Sequence, residues 1–158
     1  MKRPKTIWLL MALFLGSFVR GVNVVLRQSD SDVFQLFAAA GIEAAFFVFV
    51  VASVMLDGAT LRYLWKPEPT GLRVGLASLG VGAAFAVLSG LIAISHPDLV
   101  RALVVANQQA RGGAIDPRAL DLATSTAGLT ASVAFTLVKV GLCAWLLVWN
   151  RAYFSSRE

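Results

Sequence analysis

Twenty-two consecutive positions, 74–95 (VGLASLGVGAAFAVLSGLIAIS), carry no charge. As a helix, such a run is about 33 Å long at 1.5 Å per residue, enough to cross a hydrocarbon core of about 30 Å. Three more runs share this character, and together they predict spans at about 6–26, 33–56, 73–95 and 122–149. Each backbone N–H and C=O must be satisfied inside lipid, and the strict alternation of a barrel strand is absent, so the expected elements are helices. The pattern predicts an all-α integral membrane protein: a four-transmembrane-helix bundle in one domain over 1–158.

The connections differ in kind. Gln28-Ser29-Asp30-Ser31-Asp32 reads as a tight turn whose serines and aspartates cap the second span, which makes spans one and two antiparallel neighbours. Lys66-Pro67-Glu68-Pro69-Thr70-Gly71 holds two prolines and ends a helix. The outer segment at about 96–121 is the longest. In it Ser95-His96-Pro97-Asp98 has the form of a capping box. Leu99, Leu103, Ala106 and Ala110 then recur at 4-3-4 spacing, the pattern of a short interfacial amphipathic helix between spans three and four. Arg111-Gly112-Gly113 stops it, and Asp116-Pro117 offers an N-cap and an N1 proline to a new helix. An unbroken helix over 117–150 would be about 50 Å long and project past the outer face.

Composition agrees with the pattern. Hydrophobic residues make up 58% of the chain, 15% are charged, and mean hydropathy is +0.74. A soluble domain would need far more polar surface. The opening MKRPK and the apolar run behind it have the start of a signal peptide, but no small-x-small cleavage site comes after them, and an uncleaved first span is expected. The net charge of +5 does not describe a nucleic-acid surface, because the basic residues sit at helix ends and form no stripe interleaved with aromatics.

Those ends carry topology. Lys2, Arg3, Lys5, Arg62, Lys66, Arg73, Arg151 and Arg157 fall on one side, against Arg27, Arg101, Arg111 and Arg118 on the other. Trp8, Trp65, Trp145, Trp149, Tyr63 and Tyr153 gather at the more basic side. Positive-inside bias and aromatic belts then both place the two termini in the cytoplasm of a plasma membrane of the bacterial inner-membrane type.

The remaining charges lie inside the runs: Arg20, Glu43 and Lys139. Gly16, Arg20, Asn23 and Arg27 share a face of the first span, and Gln35, Ala39, Glu43, Phe46, Val50, Ser53 and Asp57 share one of the second. Ser125, Gly128, Ser132, Thr136, Lys139 and Cys143 share one of the fourth. Measured from the outer ends, Arg20 should lie about 10 Å deep, Glu43 about 15 Å and Lys139 about 20–25 Å. A charge at mid-bilayer costs about 2.5–3.5 kcal/mol on insertion scales. One shared network is therefore expected from Arg20, Asn23, Gln35, Glu43, Ser132, Thr136 and Lys139, serving as an internal clasp, as an anion site, or as a site to which a partner protein's helix supplies the missing carboxylate. A second stripe, Gly71, Gly75, Ser78, Gly82, Ala86 and Gly90, is of the small-residue kind that brings helices close.

Catalytic chemistry has little to draw on. His96 is the only histidine and Cys143 the only cysteine, which leaves no metal cluster, disulfide or nucleophile–base pair in view, and no cofactor is expected. The expected function is accessory or structural, with the bundle held by its buried charges. The alternative is binding or transport of an anionic or lipid-like ligand in a polar pocket in the outer half of the bundle. Expected partners are membrane lipids, a second copy or another membrane protein, and no nucleic acid.

Overall fold

The computed structural model describes residues 4–27, 31–110, 112 and 116–155. Lys2, Arg3, Arg111 and Arg157 of the basic set, residues 28–30 of the first outer turn, and Gly113 lie outside the described residues. Among those described, the chain is all helix and turn: α1 (Lys5–Leu26), α2 (Asp32–Ala39), α3 (Glu43–Trp65), α4 (Gly71–Ser95), α5 (Pro97–Ala110), α6 (Pro117–Thr124), α7 (Thr126–Trp149) and α8 (Arg151–Ser155). Four of these, α1, α3, α4 and α7, are long and apolar enough to cross a membrane.

The spans pack in the order α1–α3–α4–α7, each mainly on its neighbour, so α1 and α7 are the flanking helices and meet only sparingly. Their meeting point is the end that holds both termini. There the Thr6 hydroxyl donates to Asn150 Oδ1 at 2.9 Å, and Ile7, Leu10, Phe14, Leu64, Leu147 and Phe154 form a buried cluster. The Tyr153 hydroxyl also donates to the Leu64 carbonyl at 2.8 Å, tying α8 to the end of α3.

A second cluster closes the far end. Leu36 and Phe37 of α2 pack on Phe46 and Val50 of α3, Ile92 and Ala93 of α4, and Val100 of α5. Phe37 stacks on Phe85 at 5.5 Å between centroids and meets Phe46 edge-on at 5.7 Å. Asn107 of α5 donates to the Asp32 carboxylate of α2, and Arg101 pairs with Asp121 at 2.8 Å, joining α5 to α6. These short helices roof the bundle.

The second span departs from the sequence-based expectation. It runs over Glu43–Trp65 rather than 33–56, because residues 32–39 form the separate helix α2. The separator is Gly41 at φ +70°, a left-handed conformation that glycine adopts without a Cβ penalty. Ile42 N–H reaches the Phe37 carbonyl at 3.0 Å and Gly41 N–H the Ala38 carbonyl at 2.9 Å, the paired bonds of a Schellman helix stop.

The long helix considered for 117–150 is likewise interrupted. Asp116 does cap α6, its Oδ1 accepting from Arg118 N–H at 2.9 Å, with Pro117 at the first helical position. Ser125 then turns to extended backbone (φ −67°, ψ 154°), and its hydroxyl accepts from Gly128 N–H at 3.1 Å to start α7 afresh. The capping box considered at Ser95 is not made. Ser95 Oγ donates to the Leu91 carbonyl at 2.9 Å, and His96 Nδ1 lies 3.1 Å from the Ile92 carbonyl, so both finish α4.

Candidate functional site

The shift of the second span changes which carboxylate lies within the bundle. Fourteen residues of α3 separate Glu43 from Asp57, about 21 Å along the axis, and Asp57 stands about 12 Å from the other end at Trp65. Asp57 is 4% exposed, and both its oxygens are engaged. Ser17 of α1 donates to Oδ2 at 2.6 Å, and Ser78 of α4 donates to Oδ1. One side chain thus joins three of the four spans.

Local packing makes that join possible. Helices α1 and α3 exchange small residues on either side of the Ser17–Asp57 bond. Val54 sits against Gly21, where an added Cβ would come within 2.6 Å of its Cγ2, and Phe18 sits against Gly58 at 3.3 Å. On α4, Gly75 lies one turn before Ser78 and receives Thr60 of α3 and Leu147 of α7. Thr60, 1% exposed, satisfies its own hydroxyl by donating to the Leu56 carbonyl at 2.7 Å. Interhelical hydrogen bonds in membranes are each worth about 0.6–2 kcal/mol. Two of them offset a large part of the about 2.5–3.5 kcal/mol that an intramembrane aspartate costs.

Elsewhere the small-residue stripe faces inward along most of its length. Gly71 lies against Tyr63 and Phe154, and Gly90 against Val133 of α7, while Gly82 and Ala86 are half-buried.

The expected network of Arg20, Asn23, Gln35, Glu43, Ser132, Thr136 and Lys139 is not formed. Arg20 and Asn23 are exposed on α1, Gln35 on α2, and Ser132 and Lys139 on α7; Thr136 is half-buried. Glu43 is exposed in the first turn of α3, where a carboxylate suits the positive end of the helix dipole. There are two physical reasons. The Gly41 stop moves Glu43 from mid-span to a helix end, and α3 with α4 separates the helices that carry Arg20 and Lys139. Among the described residues the ion pair is Arg101–Asp121, outside the spans.

Four of the residues expected in that network line two open concavities instead: Arg20 and Asn23 one, Ser132 and Thr136 the other. One, of about 510 Å³, is bounded by Gly16, Val19, Arg20, Asn23, Val24, Arg27 and Ser31, with no acid among the described lining residues. The other, of about 200 Å³, lies between α2, α4 and α7, with Ser89, Ser132 and Thr136 at its wall. Two of its hydroxyls are turned back on their own helices: Ser89 donates to the Phe85 carbonyl at 2.8 Å and Thr136 to the Ser132 carbonyl at 3.0 Å. Lys139 stands apart, its Nζ 4.4 Å from the centre of the Phe135 ring. Among the described residues no three His, Cys, Asp or Glu side chains converge to hold a metal ion.

Asp57 is readable as an anomaly in the sequence. Residues 44–61 hold it as their only charge across 18 positions. Its significance is lost when a boundary at 56 puts it outside the span. The signal that corrects the boundary is the helix stop Ala38-Ala39-Ala40-Gly41-Ile42, a glycine after a helical run with an apolar residue behind it.

The fold defines the class: an all-helical, multi-pass membrane protein. No protein-family model matches the chain, and comparisons with curated proteins and with solved structures likewise give no match.

Proposed function

We propose that the chain is an accessory or structural membrane protein, seated in a plasma membrane of the bacterial inner-membrane type with both termini cytoplasmic. The orientation rests on charge and aromatic bias. Lys5, Arg62, Lys66, Arg73 and Arg151 flank the spans at the termini end, where Trp8, Trp65, Trp149 and Tyr153 also fall. Arg27, Arg101 and Arg118 are at the opposite end. One observation carries the accessory role: the carboxylate buried in the bundle is consumed in joining α1, α3 and α4. A binding or transport centre would keep such a group open to a ligand.

The test is reconstitution of the purified chain in vesicles beside native mass spectrometry of the detergent-extracted protein. An accessory protein should carry a second polypeptide at fixed stoichiometry and support no saturable anion flux. Saturable flux abolished by Asp57→Asn would overturn the assignment.

A second reading has its own observation, the concavity bearing Arg20, Asn23 and Arg27. Two guanidinium groups, with no acid among the described lining residues, suit the phosphate of an anionic lipid headgroup. Retention of phosphatidylglycerol over phosphatidylcholine in native mass spectra, reduced by Arg20→Gln with Arg27→Gln, supports it. Equal retention of the two lipids sinks it.

A further inference from the structure

Lys139 is an exposed cation deep within a span, and its geometry prevents escape to water. It lies about 20 Å along α7 from Thr126 and about 15 Å from Trp149. Helical side chains lean toward the N-terminus of their helix, and Nζ lies over the Phe135 ring one turn earlier, 4.4 Å from its centre. The ammonium is therefore held at the level of residue 135, about 13 Å below the start of α7. Snorkelling spans roughly one turn and does not cover that distance. A lipid phosphate sits at the interface and faces the same gap.

Beside Lys139 runs a surface without a partner in the bundle. Ala131, Phe135, Val138, Leu142, Trp145 and Trp149 recur at 4-3-4-3-4 along α7, all exposed. Opposite them, Val133 packs on Gly90 and Leu147 is fully buried, so α7 already has its inward contact. Lipid tails can cover such an apolar face as well as a helix can, so it is Lys139 on its flank, paired with no acid among the described residues, that calls for a partner at this depth.

We infer that this face of α7 receives a transmembrane helix of a different membrane protein, which presents an aspartate or glutamate to Lys139 at mid-membrane depth. A carboxylate on a helix can occupy a depth that a headgroup cannot. A second copy of the chain does not complement the site. Among the described acids, Asp57 is buried and engaged by Ser17 and Ser78, while Asp32, Glu43, Glu68, Asp98, Asp116 and Asp121 lie at or beyond the ends of the spans. Two copies meeting through this face would bring lysine to lysine. The assignment rests on the accessory role proposed above and names the chemistry of its partner.

The test uses the purified full chain in phosphatidylcholine vesicles with a labelled leucine-rich transmembrane peptide bearing one central Asp, followed by energy transfer. Association about tenfold stronger than that of the all-Leu peptide is expected, the range of one good interhelical polar contact. Lys139→Arg should keep the difference and Lys139→Met abolish it, with unchanged thermal unfolding showing that both variants fold. Lys139→Glu should switch preference to a peptide with a central Lys. Equal binding of the Asp and Leu peptides, or an Asp preference that survives Lys139→Met, overturns the inference. So does energy transfer between copies of the chain that Lys139→Met removes, which would make the partner a second copy. Loss of the Asp preference on adding phosphatidylglycerol would assign the site to lipid. Anion flux through the chain would sink the accessory role while leaving the peptide result standing, so the two failures are distinguishable.

Discussion

Ser17 of α1 donates a 2.6 Å hydrogen bond to Asp57 of α3, and the other oxygen of the same carboxylate accepts from Ser78 of α4. Removing the acceptor strands two hydroxyls between helices. Asp57→Ala should destabilise the bundle by about 1–3 kcal/mol, read as a fall in thermal midpoint in detergent. Asp57→Asn should lose less, since an amide keeps one acceptor oxygen. In a double-mutant cycle, Ser17→Ala and Ser78→Ala should be non-additive because they share a partner. Strict additivity would show that the carboxylate does not couple the three spans.

The exposed position of Glu43 makes the opposite expectation for the other carboxylate of α3. Its favourable interaction is with the helix N-terminus, worth about 0.3–1 kcal/mol. Glu43→Gln should cost no more than that, and combining it with Lys139→Met should give additive effects on unfolding. A buried pair would instead lose about 3–5 kcal/mol on breaking. Rescue of one substitution by the other would restore the internal clasp that the residues' spacing suggests.

Helices α4 and α7 touch closely at Gly90 and Val133, where an added methyl has no room. Gly90→Ala should destabilise by about 1–3 kcal/mol, the usual cost of overpacking. Gly80, on the same helix, has open space around it. Gly80→Ala should therefore not destabilise, and should gain about 0.4–1 kcal/mol from the lower conformational entropy of the unfolded chain. The pair of variants separates close packing from any general effect of alanine on α4.

Gly41 holds φ +70° at the stop between α2 and α3. Gly41→Ala should cost about 1–2 kcal/mol from left-handed strain. The loss should show as faster hydrogen exchange in residues 36–46, because the chain would relieve strain by loosening the Phe37–Phe46 contact. Unchanged exchange there would mean the stop does not depend on glycine.

Arg101 and Asp121 are 2.8 Å apart but half or more exposed, at 52% and 61%. Their coupling energy should be about 0.2–1 kcal/mol, falling further in high salt as screening shortens the reach of surface charge. A larger, salt-insensitive coupling would indicate that α5 and α6 are shielded from water by the membrane surface.

The class of fold is written in the chain alone, because solvent imposes it. Long uncharged runs have one favourable form in lipid, and length then sets the number of spans. The Asp116-Pro117 start is equally local: it rests on a side chain reaching a neighbouring N–H. The position of the second span is also encoded locally, at Gly41, but hydropathy does not see it, since α2 is nearly as apolar as the span itself. Which of the charges within the spans are buried comes only from the assembled helices. Depth along a span comes from counting residues, whereas burial depends on which helices stand between two faces. Here α3 and α4 separate α1 from α7, which leaves Arg20 and Lys139 facing outward and closes the bundle around Asp57.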